Sequence, residues 1–470
     1  MLERRFHLGI DYGTSTSKIV FRDYGGPGGD KAFVVASQNE YRIPSGISVQ
    51  SDKILLGKTA RNLPQTPGDN VRLYESVKMR VGEEAIQNRR KFHYGPKPRF
   101  PNGFTARDFA TLTVWWLISI GHRAVQHRVA RTGGGELVLG MTLGIPMSFY
   151  DDVATRAEFL KIAQTAWRLY RQCEPLPDSG EISLHDARRI LDHHYVTDTR
   201  VVPKEEIRDW IRSEAEAAMW WAFQSPSVSD GPFAQVDVGA GTTNASLFRI
   251  YSTLNSGRRT KQGLAFFAAC SEPTGMDAID ELICERSVGL QSTSIRGGEE
   301  QLIATQAIQG RIIAFVREHI WEAYRKTWSS TAQKVPPESA ERSALRHHRV
   351  FLMGGGSLIR TVRAALPFHP SDNGHSEVRV QQLELPGDLY LSKPQSQSGP
   401  IAAFKTLLRI QDNSYSQKPH IDDLPFLSVA YGLANIGIAI PEITTPDEMP
   451  TMFSPSSRRK QLSHEDIYAK

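Results

Sequence analysis

The sequence predicts an α/β protein with a binding cleft between two halves of the chain. Strand-like and helix-like segments alternate along its 470 residues, which is typical of α/β proteins. Two short segments, about half the chain apart, also share one pattern: an apolar run, an Asp, a turn rich in Gly and Thr, and a second apolar run. Two such turns that face each other form a clamp suited to a polyphosphate.

The two turns have the residue types that a phosphate site needs. The first is Asp11-Tyr12-Gly13-Thr14-Ser15-Thr16, and the second is Asp237-Val238-Gly239-Ala240-Gly241-Thr242-Thr243. Each pattern predicts a strand, a tight turn and a second strand. Gly lets backbone N–H groups approach an anion closely, and Ser and Thr hydroxyls add hydrogen bonds. An Asp at the strand end can hold Mg²⁺, mostly through water.

A third glycine-rich segment, Gly354-Gly355-Gly356-Ser357, follows the predicted strand 349–353. A helix that begins there would present its N-terminus to the ribose or α-phosphate of a nucleotide. A close strand–helix crossing also requires Gly, so a purely structural role stays open. Neither the P-loop signature nor Gly-x-Gly-x-x-Gly is present, so the nucleotide is expected between the two halves and not on one loop.

Composition excludes several classes of function. The length suggests two or three domains, with 40% hydrophobic and 23% charged residues. The net charge of +5 is spread along the chain, so we expect no nucleic-acid partner. Three Cys without a Cys-x-x-Cys pair, and an N-terminus without a signal peptide, predict a reducing cytoplasmic location. The longest apolar runs are too short to span a bilayer, so no membrane association is expected.

Several longer elements are predicted from apolar spacing. The pairs Trp115-Trp116 and Trp220-Trp221 are expected in the core, and Asp151 or Asp152 is expected to cap a helix. A buried strand is expected near 137–145, and helices are expected near 106–127, 151–171, 204–223, 309–328 and 426–440.

At this point the chain resembles a known family along residues 6–441. It is similar to the nucleotide-binding domain of the DnaK-like, seventy-kilodalton heat-shock chaperones, within the actin, hexokinase and heat-shock ATPase superfamily. The matching segments are, in order, Leu8-Gly9-Ile10-Asp11-Tyr12-Gly13-Thr14, Tyr74 to Gly82, Gly144-Ile145-Pro146, Ser213-Glu214-Ala215-Glu216-Ala217-Ala218, Gly275 to Asp280, and Val429 to Ala434.

The resemblance implies a two-lobed actin-like fold, a duplicated ribonuclease H-like unit with the nucleotide cleft between the lobes. Lobe I would span 1–228 with a peripheral subdomain at 38–135. Lobe II would span 229–443 with a peripheral subdomain at 266–344, and a disordered tail would cover 444–470.

The resemblance also implies roles for individual residues toward ATP or ADP and Mg²⁺. Asp11 and Asp237 would hold the hydrated metal ion, and Lys78 would stabilise charge on the transferring phosphoryl group. Glu214 would orient the attacking water, and Asp237 and Thr242 would complete the catalytic set. The phosphates would contact both turns and the third glycine-rich segment, through Gly13, Thr14, Ser15, Gly239, Gly241, Thr242, Thr243, Gly354, Gly355, Gly356 and Ser357. Without the resemblance, Lys78 and Glu214 would be interpreted as surface charges.

Four departures from the family pattern bear on activity. Ala240 replaces a turn glycine, and Asn244 stands where the family has an Asp that helps to bind a monovalent cation. Phe426 falls near a family Asp, and the adenine-binding helix is not evident around 311–328. Slow or absent hydrolysis with retained ATP binding is therefore expected, and the base specificity stays open.

The function that the resemblance implies is a nucleotide switch with slow ATP hydrolysis. Only a polar segment follows the last predicted helix, so the peptide-binding domain of the chaperones is expected to be missing. The switch would then act through a separate protein partner. Two alternatives stay open: an actin-like filament-forming ATPase, and a small-molecule kinase of the same superfamily.

Overall fold

The computed structural model confirms the α/β prediction: three β-sheets and ten α-helices are present among the residues it describes. Residues 444–470, predicted as a disordered tail, lie outside the described part except for Thr444. The described residues are 3–25, 30–37, 40–63, 71–85, 100–101, 103–196, 210–225, 228–255, 258–279, 306–335, 345, 348–358, 362, 365, 379–380, 388–391, 419, 424–435 and 443–444.

The first sheet has seven strands and carries the first predicted turn. Its strands are β1 (Glu3–Asp11), β2 (Thr16–Asp23), β3 (Lys31–Val34), β4 (Ile43–Pro44), β8 (Glu136–Ile145), β10 (Ile211–Ser213) and β16 (Leu389–Leu391). The order across the sheet is β10-β8-β1-β2-β3-β16, and β4 pairs with β2. Strands β1, β2 and β3 form an antiparallel meander, whereas β8 runs parallel to β1 and β10 runs parallel to β8.

The second sheet has six strands and carries the second predicted turn. Its strands are β11 (Gly231–Val238), β12 (Thr243–Asn255), β13 (Arg258–Glu272), β14 (Arg349–Met353), β15 (Arg379–Val380) and β17 (Ile443–Thr444), in the order β15-β14-β11-β12-β13-β17. Strands β11, β12 and β13 form an antiparallel meander, and β14 and β15 continue in parallel from β11. If β4 is left aside and the strands of each sheet are counted along the chain, the first five strands lie in the order fifth, fourth, first, second, third in both sheets. The directions of these five strands are also the same in both sheets.

A smaller antiparallel sheet and the helices complete the architecture. This third sheet pairs β7 (Val71–Tyr74), β5 (Ile47–Gln50), β6 (Lys53–Leu56) and β9 (Glu181–Ser183). The helices are α1 (Gly57–Arg61), α2 (Val77–Ala85), α3 (Ala106–Arg131), α4 (Met147–Asp151), α5 (Val153–Gln172), α6 (Leu184–His194), α7 (Glu214–Gln224), α8 (Gln306–Phe315), α9 (Glu322–Lys334) and α10 (Leu424–Leu433). A π-helical turn, Val316–Ile320, lies between α8 and α9.

Local sequence explains the helices that were predicted correctly. Helix α3 begins at a capping box in which Thr105 and Asp108 satisfy each other's backbone N–H groups. Asp152 caps α5 by accepting a hydrogen bond from the Thr155 N–H. All four tryptophans of the two predicted core pairs are at most 2% exposed, so the core prediction for both pairs is confirmed.

Helices α7 and α10 lie between the first and second sheets. Their side chains form one hydrophobic core that also includes Val20 from the first sheet and Phe233 from the second. Small residues allow the close packing: a Cβ on Gly9 would overlap the Ala430 carbonyl, and one on Gly432 would overlap the Ala217 carbonyl. The two sheets are thereby joined through a pair of helices.

The prediction of a single helix over 204–223 is wrong in its described part. Ile211–Ser213 forms strand β10, which pairs in parallel with Leu143–Ile145, and the helix begins only at Glu214. Parallel pairing at a sheet edge overrides the helical preference of the surrounding residues. The difference has a consequence for function, because it places Glu214 at the first turn of a helix directly after a strand end.

Candidate functional site

Both predicted turns join the first two strands of their sheets in the same register. In the first hairpin Asp11 lies opposite Lys18 and next to Gly144 of the parallel strand β8. In the second hairpin Asp237 lies opposite Asn244 and next to Met353 of the parallel strand β14. The two Asp residues thus hold equivalent positions, at the carboxyl end of the first strand of each sheet.

In each turn, a carbonyl group of the turn accepts a hydrogen bond from the backbone of a neighbouring segment. The Ser45 N–H donates to the Ser15 carbonyl at 2.9 Å, and the Met276 N–H donates to the Gly239 carbonyl at 3.0 Å. The N–H groups of Thr14, Ala240 and Gly241 find no acceptor among the described residues. Because the carbonyl groups are engaged and these N–H groups are not, both turns offer donors suited to an anion.

Lys78 and Glu214 form a buried ion pair, with side chains 3% and 9% exposed. Lys78 is the second residue of α2, and Glu214 is the first residue of α7, whose N-cap is Ser213. Burial raises the pKa of Glu214, and the nearby Asp11 carboxylate raises it further, whereas Lys78 lowers it. These two of the four residues predicted as catalytic are therefore in contact and withdrawn from water.

Lys18 is a member of the site that sequence reasoning missed. Its Nζ lies 3.0 Å from Oδ2 of Asp11, and the side chains of this ion pair are 11% and 8% exposed. The signal was present in the sequence, since Lys18 follows Asp11 by the same seven positions that separate Asn244 from Asp237. A symmetric hairpin places residues at this spacing opposite each other across the two strands.

The charges on both hairpins act on one another. The pKa of Asp237 is raised to about 7, although Asp237 keeps partial contact with solvent. Burial is the largest cause, the carboxylates of Glu214 and Asp11 also raise this pKa, and the ammonium groups of Lys18 and Lys78 lower it. Such mutual effects require short distances, so these five charged groups occupy one region between the two turns.

The third glycine-rich segment also reaches this region. Gly354 has a φ of +74°, and a Cβ on it would collide with Oδ1 of Asp237. Residues Gly355–Leu358 then form a 3₁₀ turn. Glycine is required at 354 for two reasons, the left-handed backbone and the close approach of the carboxylate. The segment thus packs directly against the second hairpin.

The remaining predicted phosphate contacts lie on the turns. Thr242 is buried, Thr243 opens β12, and Gly13, Thr14 and Ser15 are half-buried. Two of the predicted hydroxyl donors are engaged internally: Thr243 donates to the Thr274 carbonyl at 2.7 Å, and Ser357 donates to the Gly354 carbonyl at 2.8 Å.

Phe426 adds an aromatic wall that no motif indicated. Its ring packs beside Gly355, and the guanidinium carbon of Arg42 lies 3.8 Å from the ring centroid. The Lys18 ammonium lies 5.9 Å from the same centroid. The ring therefore brings two cations to the region between the third glycine segment and the first hairpin.

Comparison with known proteins gives no match from which a function could be taken. No protein-family model matches the chain, and no curated protein is significantly similar to it. Among the residues that the structure describes, no helix combines the length and the apolar character needed to cross a lipid bilayer. In the same part of the chain, no three His, Cys, Asp or Glu side chains are grouped as a metal site.

Proposed function

We propose that the protein binds the polyphosphate of a nucleoside triphosphate, ATP in the first instance, between the two hairpins, and hydrolyses it slowly. The observation that carries this proposal is the shared electrostatic region of Asp11, Glu214, Asp237, Lys18 and Lys78. Two glycine turns with unpaired N–H groups border it. Preorganised donors and ammonium groups of this kind stabilise the charge of a transferring phosphoryl group.

We also propose that the fold is the two-lobed, duplicated actin-like fold that the family resemblance implies. The shared strand order and directions of the first and second sheets support it. So does the placement of an Asp at the same register position in both sheets. In this proposal helices α7 and α10 form the connection about which the lobes move, and the lobe positions present a surface to a separate protein partner.

Each charged residue has a task in the proposed reaction. Lys78, whose ammonium lies 5.9 Å from the centroid of the Tyr12 ring in the first turn, neutralises charge on the transferred group. Glu214 accepts a hydrogen bond from the attacking water, and burial, which raises its pKa, makes its carboxylate a better proton acceptor. The turn N–H groups of Thr14, Ala240 and Gly241 bind phosphate oxygens. No covalent intermediate is required.

The residues fit a Mg²⁺ ion of the kind that accompanies nucleotides. Mg²⁺ keeps several waters and takes one or two carboxylates together with phosphate oxygens. Asp11 and Asp237 supply two carboxylates, and the charge of Asp11 acts on Asp237. Asp11 and Asp237 would hold such an ion through its waters, and the ion would supply positive charge that offsets the charge of the phosphates.

Calorimetric titration with Mg·ATP tests the proposal. We expect one binding site in the wild type and an affinity lower by about tenfold in Thr242→Ala, since a hydrogen bond to a charged group contributes about 1.5 kcal/mol or more. The exposed variant Lys53→Met serves as control and should bind as the wild type. No binding of Mg·ATP or Mg·ADP by the wild type would refute the proposal, and turnover only with an added metabolite would indicate a kinase.

A further inference from the structure

The ammonium of Lys18 forms an ion pair with Asp11, whose carboxylate is proposed above to bind the waters of the metal ion. Its Nζ lies 3.0 Å from Asp11 Oδ2, and both side chains are nearly withdrawn from solvent. A carboxylate oxygen that accepts a hydrogen bond from an ammonium at this distance is not available to a second cation without competition. Asp11 is therefore neutralised by the chain itself.

The second hairpin contains no equivalent group. Its residue at the matching position is Asn244, which is uncharged and accepts a hydrogen bond from Ser271 at 2.6 Å. The part of the chain that the structure describes gives Asp237 no salt bridge. The internal counter-ion is thus a property of the first hairpin alone, and it distinguishes two otherwise equivalent carboxylates.

Lys18 also lies beside the turn that is proposed to bind phosphate. A Cβ built on Gly13 would lie 3.6 Å from the Lys18 Nζ, so the ammonium is adjacent to the turn backbone. The side chain is flexible, and its stem starts at the second strand of the same hairpin. The flexible four-carbon stem of a lysine lets the ammonium move from the carboxylate toward an anion on the adjacent turn.

We propose that Lys18 is an exchangeable counter-ion: it neutralises Asp11 when no polyphosphate is bound and transfers to the polyphosphate when one binds, which frees Asp11 for the metal's water shell. The inference rests on the proposed function and adds an order of events to it. A divalent cation alone competes with Lys18 and binds weakly. A polyphosphate removes the competitor and also finds in Lys18 a cation of its own.

Two binding measurements test this exchange without using turnover. Binding of Mn²⁺ alone is followed by loss of the free-ion electron paramagnetic resonance signal. Binding of ATP is followed by calorimetry in the presence of Mg²⁺ and, separately, in the presence of a chelator. The proteins are the wild type, Lys18→Met, and Lys53→Met, which removes the same charge from an exposed pair with Glu181.

The expected results are opposite for the metal and the nucleotide. Lys18→Met should bind Mn²⁺ alone more tightly than the wild type, because Asp11 has lost its competitor. It should bind ATP without metal about tenfold or more weakly, because a charge-assisted contact is lost. By linkage, the ratio of ATP affinities at saturating Mg²⁺ and without Mg²⁺ should fall in Lys18→Met, by the factor by which its binding of the metal alone is tightened. Lys18→Arg keeps the charge and should return this ratio toward the wild-type value.

Two results would overturn the exchange. If the wild type binds ATP and Lys18→Met shows the same affinity ratio as Lys53→Met, the inference fails while the proposed function stands. If the wild type binds no ATP with or without metal, both fall together. If Lys18→Met does not fold, as judged by the loss of a cooperative unfolding transition, Lys18→Gln replaces it, because glutamine retains polarity. The ratio of ATP affinities with and without Mg²⁺ is then compared in the same way.

Discussion

The two hairpins have the same shape but compensate the charge of their carboxylates differently. Asp11 and Asp237 end equivalent strands, next to a parallel strand and opposite a residue seven positions later. In the first hairpin that residue is Lys18, whose ammonium forms a salt bridge with Asp11. In the second hairpin it is Asn244, and the pKa of Asp237 rises to about 7 through burial and neighbouring carboxylates.

The difference shows how the residue opposite the Asp determines the charge state of two hairpins that share one geometry. A salt bridge keeps a carboxylate ionised and committed to a partner, whereas burial without a partner favours the protonated form. One side of the site therefore holds a paired charge and the other a carboxylate that titrates near neutral pH. Binding of a metal with a polyphosphate would change both, by exchange at Asp11 and by proton release at Asp237.

The largest effect is expected from Lys78→Met, which removes the cation of the Lys78–Glu214 pair near both hairpin carboxylates. Removing one partner leaves Glu214 buried without its cation, so the unfolding free energy should fall by about 3 kcal/mol. Any ATP hydrolysis should fall by about a hundredfold or more, as for loss of one transition-state donor. Chemical denaturation and single-turnover assays measure both, with Lys53→Met, an exposed ion pair, expected to match the wild type.

A second prediction concerns the glycines beside the two Asp residues. Gly354→Ala should lower the unfolding free energy by about 1 to 3 kcal/mol more than Gly103→Ala, because only the former Cβ meets the Asp237 carboxylate. The control is matched in backbone, since φ is +74° at Gly354 and +75° at Gly103, where no atom lies within 4 Å of the Cβ.

The first sheet offers a comparison at Gly144, which lies next to Asp11 in the parallel strand β8. A Cβ on Gly144 would meet the end of the Leu433 side chain at 2.9 Å and the Glu214 side chain at 3.3 Å, but no backbone atom closer than these. Gly144→Ala should therefore cost less stability than Gly354→Ala in the same denaturation experiment. Equal costs would mean that Gly354 is not specially constrained by Asp237.

The last prediction concerns the pH dependence of stability. The pKa of Asp237 is about 7 in the folded protein against an ordinary value of 3.8, so between these values the folded state holds a proton that the unfolded state has released. Stability should therefore fall as the pH rises from about 4 to about 7. Asp237→Asn should remove this part of the slope, whereas Asp192→Asn, an exposed carboxylate, should leave it unchanged. An identical slope in Asp237→Asn and wild type would contradict the assignment.

The turns could be predicted from the sequence because their signal is local. An Asp after an apolar run, followed by Gly and Thr, needs no knowledge of distant residues. Lys18 was missed because its role depends on the hairpin register, which becomes evident only when Asp11 and Lys18 are paired across two strands. A spacing of seven residues places two side chains opposite each other only in a hairpin of this register.

Other features depended on contacts between distant segments. Strand β10 lies inside a predicted helix because it pairs with β8, some 70 residues earlier in the chain. Strand β16 joins the first sheet from the far end of the chain, where the neighbouring Asp388 accepts hydrogen bonds from Arg22 at 2.5 Å and Tyr431 at 2.8 Å. Neither pairing leaves a periodic signal in its own segment, because short strands contain too few residues to show one.

A crystal structure of the protein with Mg²⁺ and a non-hydrolysable ATP analogue tests the central claim most directly. We predict phosphate oxygens within hydrogen-bond distance of the backbone N–H groups of both turns, at Thr14 and at Gly241, with the Lys18 ammonium moved from Asp11 to a phosphate. Analogue density at only one turn, or at a site remote from residues 11 and 237, would contradict the account.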